Sequence, residues 1–529
     1  FVLFQMEPVT LSAAIMITIL CLFIYITRLY RRYRLKHYDI LARDIKKGHS
    51  WFMVDIFTKP TYCNVDQFHI VHGAECDSCG ICVADHNMKK ADVAIHCKEL
   101  CSKKEIYFHH WVTGNLPLCS KCMVCNEDCG IQPKLSDSRC CWCFRTIHDD
   151  CVPRTDNCDF GKFRHFVIPP NCVELKWIGM RRKLAVKTVR HPHIPRWTPL
   201  IVIANRKSGS KDAEHLLRTF RSHLNPLQVI DLSENKPEYA LELCHLLPEI
   251  TFTVLVCGGD GTIGWVLKAI ENLKFKNPPM VCTVPLGTGN DLSRVLGWGE
   301  GYTGDIEVSE ILDELKSVKP VKLDRWKIQF SNEKRLGIPM RKKIRMMNNY
   351  ASIGVDALVT LNFHRQRESL PWLFAHRIIN KVGSIYISYC RRTTPHINKQ
   401  LSIIKCRKIT TLDGRLIDLP EIEGLVILNI SSWGGGVRPW QLSPDEENFK
   451  PVRYDDKVLE VMALYSSFHI AQLQVGLASP IKLGQANEIK IRLSGGNAPM
   501  QVDGEPWIQH PAEIIISHHG QASMLAKMD

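Results

Sequence analysis

The chain is short of acid. Its 529 residues carry 54 Asp and Glu against 68 Lys and Arg, a net charge of +14. That balance points toward an acidic partner, either nucleic acid or an anionic membrane. Other absences exclude more. No Gly-x4-Gly-Lys-Ser/Thr occurs, so there is no Walker phosphate loop, and the His-Arg-Asp of the protein kinases is absent. Cysteine is scarce outside one window, sixteen of the 22 lying between Cys63 and Cys172. The N-terminal apolar run shows neither the preceding basic region nor the following small-residue cleavage site of a signal peptide, so it is expected not to be cleaved as one. At 45% hydrophobic and 23% charged residues, the composition is that of a globular protein long enough for several domains.

What is present begins with two glycine turns. Thr251–Cys257 is apolar and β-branched and opens onto Gly258-Gly259-Asp260-Gly261-Thr262; Val281–Val284 opens onto Pro285-Leu-Gly287-Thr288-Gly289-Asn290-Asp291. Ile263, Val266, Leu267 and Ile270 then repeat at helical spacing. Strand, glycine turn and helix N-terminus together favour a phosphate, because glycine lets the backbone approach and the free N–H groups attract an anion. An aspartate in such a turn repels bare phosphate, so it implies a bridging Mg²⁺ or a hydroxyl to deprotonate. The pair predicts nucleotide-dependent phosphoryl transfer. Leu200–Ala204 reads as a further strand ending in a third such turn, Asn205-Arg206-Lys207-Ser208-Gly209, with Lys207 as its phosphate cation. From Pro199 the alternation of strands and helices predicts a mostly parallel α/β lobe over 199–323. Beyond it, Val426–Ile430, Val458–Tyr465, Glu488–Leu493 and Ala512–Ser517 read as strands of an antiparallel, β-rich second lobe over 324–529, with a substrate cleft between the lobes.

The N-terminus carries a compartment signal. Leu11–Ile26 is uncharged and at the lower limit for spanning a bilayer, roughly 16 to 20 residues. Arg28, Arg31, Arg32, Arg34 and Lys36 follow, which places the C-terminal side in the cytosol by the positive-inside rule. Residues 1–48 therefore read as a hydrophobic membrane segment with a basic juxtamembrane stretch, the alternative being a re-entrant or interfacial segment. The expected location is membrane-anchored with the catalytic part facing the cytosol, at the endoplasmic reticulum or plasma membrane. Leu361–Ile379 mixes apolar side chains with Arg365, Arg367 and Arg377; it suits either an anionic lipid surface or a core-packed helix.

Cysteine spacing favours metal over disulfides. His109, Cys122, Cys125, Cys140, Cys143, His148, Cys151 and Cys158 supply eight ligands in paired Cys-x2-Cys knuckles, enough for two tetrahedral zincs over 109–160. His110 is an alternative first ligand. A degenerate copy over 49–101 keeps His49, Cys76, Cys79 and Cys97, whereas the corner at 63, 66, 84 and 87 holds Cys63, Asp66, Ala84 and Asn87. Residues 161–198 read as a basic connector.

The ligand order resembles the zinc modules of the protein kinase C and diacylglycerol kinase families. Gly-Gly-Asp-Gly-Thr followed by Pro-Leu-Gly-Thr-Gly-Asn-Asp resembles the diacylglycerol kinase catalytic domain. Met347–Asp356, Asn429–Gly436 and Gln501–Trp507 are similar to that family's accessory domain. The hydrophobic N-terminus, two zinc modules and lack of calcium-binding hands resemble its epsilon type. The resemblance implies a multidomain chain: membrane helix, two small zinc modules, α/β nucleotide-binding lobe and antiparallel β-rich lobe. It implies interleaved zinc sites, His109, Cys140, Cys143 and Cys158 on one ion and Cys122, Cys125, His148 and Cys151 on the other. It further implies ATP, Mg²⁺ and structural Zn²⁺ as cofactors, a diacylglycerol substrate at an anionic membrane surface, and no nucleic-acid partner.

In that reading Asn205, Lys207, Ser208, Gly258, Gly259, Gly261, Thr262, Gly287, Thr288, Gly289, Asn290 and Asp291 hold the nucleotide. Asp260 faces Mg²⁺, and Asp503 or Glu505 in Val-Asp-Gly-Glu-Pro is the favoured base. The modules either bind diacylglycerol or form a platform docked on the kinase core. The competing functions are a non-catalytic diacylglycerol sensor and a kinase for another lipid such as a sphingoid base. Intact turns and acids weigh against the first, the tandem zinc modules against the second.

Overall fold

The computed structural model describes residues 16–26, 48–132, 134–155, 157–179, 183–206, 211–304, 306–332, 342–369, 409–442, 449–494 and 496–527. Lys207, Ser208, the basic stretch after Ile26 and the part of Leu361–Ile379 beyond Ser369 lie outside them. Residues 16–26 are helical with exposed apolar side chains. Among the described residues no helix is long and apolar enough to cross a membrane.

The two cysteine-rich modules are built alike. Trp51–Val54 pairs antiparallel with Gly73–Cys76 in the first, and Trp111–Thr113 with Ser138–Cys140 in the second. His49 lies against Trp51 and His109 stacks on Trp111. The stretch expected as a basic connector is folded: Val173–Ile178 and Lys183–Val189 form an antiparallel ribbon, and Phe166, Val167 and Ile168 are buried.

The α/β lobe starts with β1 (Leu200–Ala204), α1 (Lys211–His223), β2 (Val229–Asp231), α2 (Pro237–Leu246), β3 (Thr253–Gly258), α3 (Asp260–Leu273), β4 (Met280–Pro285) and α4 (Asp291–Val295). β1 to β4 are parallel in the order β2-β1-β3-β4. β1 and β3 are buried along their whole length, as helices on both faces of a parallel sheet require.

The second lobe follows as β5 (Val318–Asn332), β6 (Lys343–Met347), β7 (Tyr350–Gly354), α5 (Val355–Ser369), β8 (Ile409–Leu412), β9 (Arg415–Ile417), β10 (Gly424–Leu428), β11 (Leu459–Leu464), α6 (Ser467–Gln474), β12 (Ile481–Ala486), β13 (Glu488–Leu493), β14 (Ala498–Val502), β15 (Glu505–Gln509) and β16 (Ala512–Lys527). Among the described residues, β12-β11-β10-β7-β14-β15 make a six-stranded antiparallel sheet. Its inner face packs Ile353, Leu425 and Ile427 against Trp326, Ile328, Ile514 and Ile516 of the other sheet. The outer face carries Val426, Leu428 and Met462, which meet Trp433 and Trp440, so β10 is apolar on both sides.

The boundary at 323 does not interrupt the fold. β5 runs straight through it, and β16 pairs with β5 from Val318↔Lys527 to Asn332↔Ala512. The far end of β16 lies parallel to β4 at Val281↔Met524, which joins both lobes in one ten-stranded sheet.

The modules are seated on α1. The fully buried Lys98 Nζ donates to the carbonyls of Arg221 (3.3 Å), Ser222 (2.7 Å) and Leu224 (3.0 Å) at the end of that helix, and lies 4.1 Å from the Trp142 ring of the second module. Burial pulls its ammonium down to about 8. A cation here is stabilised by the helix dipole and by carbonyls that otherwise lack donors. Arg221 binds Asp77 at 2.9 Å, and the Arg218 guanidinium lies 3.2 Å from the Phe52 ring. Lys98→Met should lower stability by about 2–4 kcal/mol by stripping three buried acceptors of their donor. Thermal melting of the intact chain is the check, and an unchanged midpoint would show that the contact holds nothing.

Candidate active site

β3 ends at Gly258 and α3 begins at Asp260, so Gly259 makes the turn between them. β4 likewise ends at Pro285, and residues 286–290 lead into α4. The two turns touch. A Cβ on Gly287 would lie 2.8 Å from the Cα of Gly259 and 2.7 Å from Asn290 Oδ1; one on Gly258 would lie 2.8 Å from the Thr262 Cβ. Gly261 faces open space. Thr262 N donates to Gly259 O, and Thr288 sits in the second turn. Asn290 adopts the left-handed conformation, and its Nδ2 donates to the carbonyls of Gly287 and Glu300, both at 2.8 Å. All of this lies at the carboxyl ends of the parallel strands, where open α/β sheets bind their ligands. Asn205 follows β1 at the same end. Arg206 beside it is engaged by Asp231 and Glu234.

The acids join the turns to each other and to the second lobe. Asp260 accepts from the backbone N–H of Asp291 (3.0 Å) and of Leu292 (3.1 Å), one bond to each oxygen. Burial and the neighbouring Asp291 charge push its carboxyl up to about 7, against those two bonds and a third from the Asn349 side chain. Asp291 accepts from Ser432 Oγ (2.6 Å), Gly435 N (3.1 Å) and Gly436 N (3.1 Å). Gly434, Gly435 and Gly436 have φ of 61°, 89° and 117°, left-handed values that make three consecutive glycines necessary for this clasp. Arg294 packs under it, donating to Gly289 O at 3.3 Å, so a cation lies beside the acids.

Asp503 is the turn residue of the β14–β15 hairpin, with φ 48° and Gly504 after it, an Asp-Gly pair suited to a two-residue turn. Its oxygens accept four bonds: Asn348 N (2.8 Å), Asn348 Nδ2 (3.1 Å), Asn349 N (2.8 Å) and Tyr350 N (3.1 Å). Burial still pushes it up to about 6. The Asn349 side chain reaches Asp260, so this corner links the two acids. Arg325 fixes the corner from behind, bonding Asn348 Oδ1 at 3.0 Å and Glu271 of α3 at 2.8 Å. Burial and the charges of Asp291, Asp356, Asp260 and Asp503 together raise the Tyr350 hydroxyl. Glu505 is not among them. Its side chain is 74% exposed and pairs with Arg345 at 3.4 Å.

Of the acids singled out in the sequence, the fold thus brings Asp260, Asp291 and Asp503 together and leaves Glu505 on the surface. Ser432, Asn348, Asn349, Arg294 and Asp356 belong to the same network and were missed. Most lie in Met347–Asp356 and Asn429–Gly436, segments that carried a family resemblance and no individual role. Asp503→Asn should lower kcat roughly 10-fold to 100-fold with nucleotide affinity kept, since an amide cannot accept all four bonds. Glu505→Gln should stay within about twofold of the parent. Initial rates of both variants test this, and equal losses would place Glu505 in the site.

The cysteine clusters close as three four-ligand sets: His49, Cys76, Cys79, Cys97; His109, Cys140, Cys143, Cys158; and Cys122, Cys125, His148, Cys151. Cys76 and Cys97 sulfurs are 3.7 Å apart and those of Cys140 and Cys158 3.9 Å, against the ~3.8 Å edge of a tetrahedral zinc–thiolate site. His109, and not His110, faces Cys143, its Nδ1 3.4 Å from the sulfur. Hydrogen bonds from Cys79 and Cys97 hold the Cys76 thiol well below its ordinary range, and those from Cys143 and Cys158 do the same for Cys140. These donor sets fit Zn²⁺. A further group, Cys129, Asp137 and His148, shares His148 with the third set. The fourth corner is closed by hydrogen bonds instead: Asn87 Nδ2 donates to Asp66 at 2.6 Å and to Cys63 Sγ at 3.5 Å, and Ala84 N to Cys63 Sγ at 3.4 Å.

Comparison with known proteins places these features. Residues 199–323 match the diacylglycerol kinase catalytic domain and residues 346–506 the diacylglycerol kinase accessory domain. Diacylglycerol kinase 1 of Arabidopsis thaliana is 41% identical over 360 residues, 66% of this chain and 47% of that protein. Probable diacylglycerol kinase 3 of Caenorhabditis elegans is 31% identical over 529 residues, covering 90% of this chain and 64% of that protein. Diacylglycerol kinase 2 of Arabidopsis thaliana is 30% identical over 595 residues, covering 89% and 82%. The chain thus spans less than two thirds of the length of the first two relatives. Since the catalytic match carries both glycine turns and the accessory match carries the Ser432–Gly436 clasp that closes on Asp291, the chain belongs to the diacylglycerol kinase family.

Proposed function

We propose that this chain is an ATP-dependent lipid kinase that phosphorylates the primary hydroxyl of diacylglycerol to give phosphatidic acid at a membrane surface. The observation that carries it is the contact of the two glycine turns beneath Asp260, within the region matching the family's catalytic domain. In the reaction the lipid O–H proton passes to a carboxylate, the oxygen bonds the γ-phosphorus, and the bond from that phosphorus to the β–γ bridging oxygen breaks to release ADP. Mg²⁺, when bound with the nucleotide, would supply charge neutralisation on the phosphate oxygens, and Asp291 is the residue that would hold it. The geometry supports Asp260 as the proton acceptor over Asp503 or Glu505. Asp260 is reached by two backbone N–H groups and the Asn349 side chain, whereas the oxygens of Asp503 are occupied by four donors.

The three cysteine sets act as structural zinc sites, and their seating on α1 favours the platform role for the modules. The exposed apolar helix at 16–26 supports an anchored protein of the epsilon type with its catalytic part in the cytosol, facing anionic lipid. Labelled ATP offered with diacylglycerol, a sphingoid base and NAD to detergent-solubilised protein is the test. Label in phosphatidic acid alone supports the assignment; label in another acceptor, or in none, overturns it.

A further inference from the structure

Between Glu460 and Lys482 the chain carries no Asp, Glu, Lys or Arg over residues 461–481, where a run of that length at the chain's 23% charge would hold about five. β11 accounts for the first residues, which are buried. Of the rest, Ile470 and Leu473 are buried while Tyr465 is 53%, Val475 64% and Leu477 78% exposed. Solvated surfaces are ordinarily rich in charge, and contiguous apolar exposure marks an interaction face.

The patch is built, not frayed. Ser466 caps α6 by accepting from His469 N at 3.3 Å. The His469 ring accepts from Tyr465 N at 3.1 Å and reaches Ser479 O at 3.0 Å, tying the two ends of the segment together. At the far end Gly476 takes φ 74°, Gly476 N donates to Leu473 O and Leu477 N to Gln472 O at 2.8 Å. That is a Schellman ending, in which the residue after the glycine usually packs on an apolar side chain one turn back. Here those positions are Gln472 and the small Ala471, and Leu477 stays 78% exposed.

The position matters as much as the composition. A Cβ on Gly434 would lie 4.0 Å from Gln474 Nε2, so the last turn of α6 stands against the glycine turn that clasps Asp291. Ile470 and Leu473 on the inner side of α6 pack with Trp433 of the same turn. The uncharged segment therefore stands next to the turn that clasps the carboxylate network.

We infer that the segment Tyr465–Leu477 is a bilayer-docking face that inserts Val475 and Leu477 among lipid chains, so that diacylglycerol reaches the site without leaving the membrane. This rests on the kinase reading given above. An uncharged, rigidly presented face suits the apolar part of a bilayer better than an anionic headgroup layer, which would call for lysine and arginine.

The test compares the full chain with the Val475→Glu/Leu477→Glu variant on two substrates: long-chain diacylglycerol in phosphatidylcholine vesicles, and a water-soluble short-chain diacylglycerol. The variant should lose about tenfold or more in kcat/KM on vesicles and stay within about twofold on the soluble substrate, because each glutamate removes apolar insertion and adds a charge. Leu477→Trp should keep the vesicle activity. Equal losses on both substrates would mean a distorted site and overturn the inference. Unchanged vesicle activity with loss of self-association on gel filtration would assign the face to a second copy of the chain and overturn it too. A parent chain inactive on both substrates would overturn the kinase reading itself, an outcome separate from failure of the docking face.

Discussion

Asp260→Asn is expected to lower turnover by about 10²–10⁴-fold, the range for removing a general base, while the protein stays folded. The amide keeps one acceptor for the N–H groups at the start of α4, so the stability loss should stay near the ~1 kcal/mol of a weakened cap. Nucleotide affinity should change little, because the turns that would cradle phosphate are backbone. The pH profile adds a second check. With its carboxyl raised to about 7, Asp260 accepts a proton readily above that pH and is increasingly protonated below it, so kcat/KM should fall as the pH drops through about 7. A limb that moves to lower pH as Mg²⁺ is raised would assign Asp260 to the metal; a fixed limb would keep it as base. Turnover at the parent rate in Asp260→Asn would refute the site.

The other large effect lies in the zinc modules. Elemental analysis after dialysis should find three zincs per chain, one for each four-ligand set, and not four. The fourth corner instead carries a small polar network around Asn87. Cys76→Ser should therefore remove one zinc and much of the first module's stability, up to roughly 10 kcal/mol when the ion is lost outright. Cys63→Ser should remove none and cost about 1 kcal/mol or less. The damage from Cys76→Ser should reach the kinase lobe, since the module's buried cysteines share one apolar core with β1 and α1. A zinc ratio near four, or a Cys63→Ser variant that loses metal, would show that Asp66 and its neighbours complete a site.

The parts legible in the sequence were those whose partners lie close along the chain. β1 falls at Leu200–Ala204 and β13 at Glu488–Leu493, because a fully buried run and a strict alternation each mark a strand. The glycine turns are written in adjacent residues, and zinc ligands are legible because only a few spacings close a tetrahedron. The reading failed where a short motif has two meanings. Val-Asp-Gly-Glu offered two acids as bases. In the fold it is a hairpin turn whose aspartate is buried and bonded four times, and whose glutamate points to solvent.

What the sequence determined by itself is the chemistry available: phosphate turns, a carboxylate at their centre, and soft ligands in tetrahedral order. Tertiary structure decided which groups face one another. Asp291 meets Ser432 across 141 residues, Asp503 meets Asn348 across 155, and Lys98 meets Leu224 across 126. The return of β16 to β4 likewise joins the lobes into one sheet, although nothing local in Ala512–Lys527 distinguishes it from an ordinary end strand. The physical reason is that spacing rules describe the period of a helix or strand. The pairing of distant segments is set by which apolar faces bury each other, and only the closed fold holds that information.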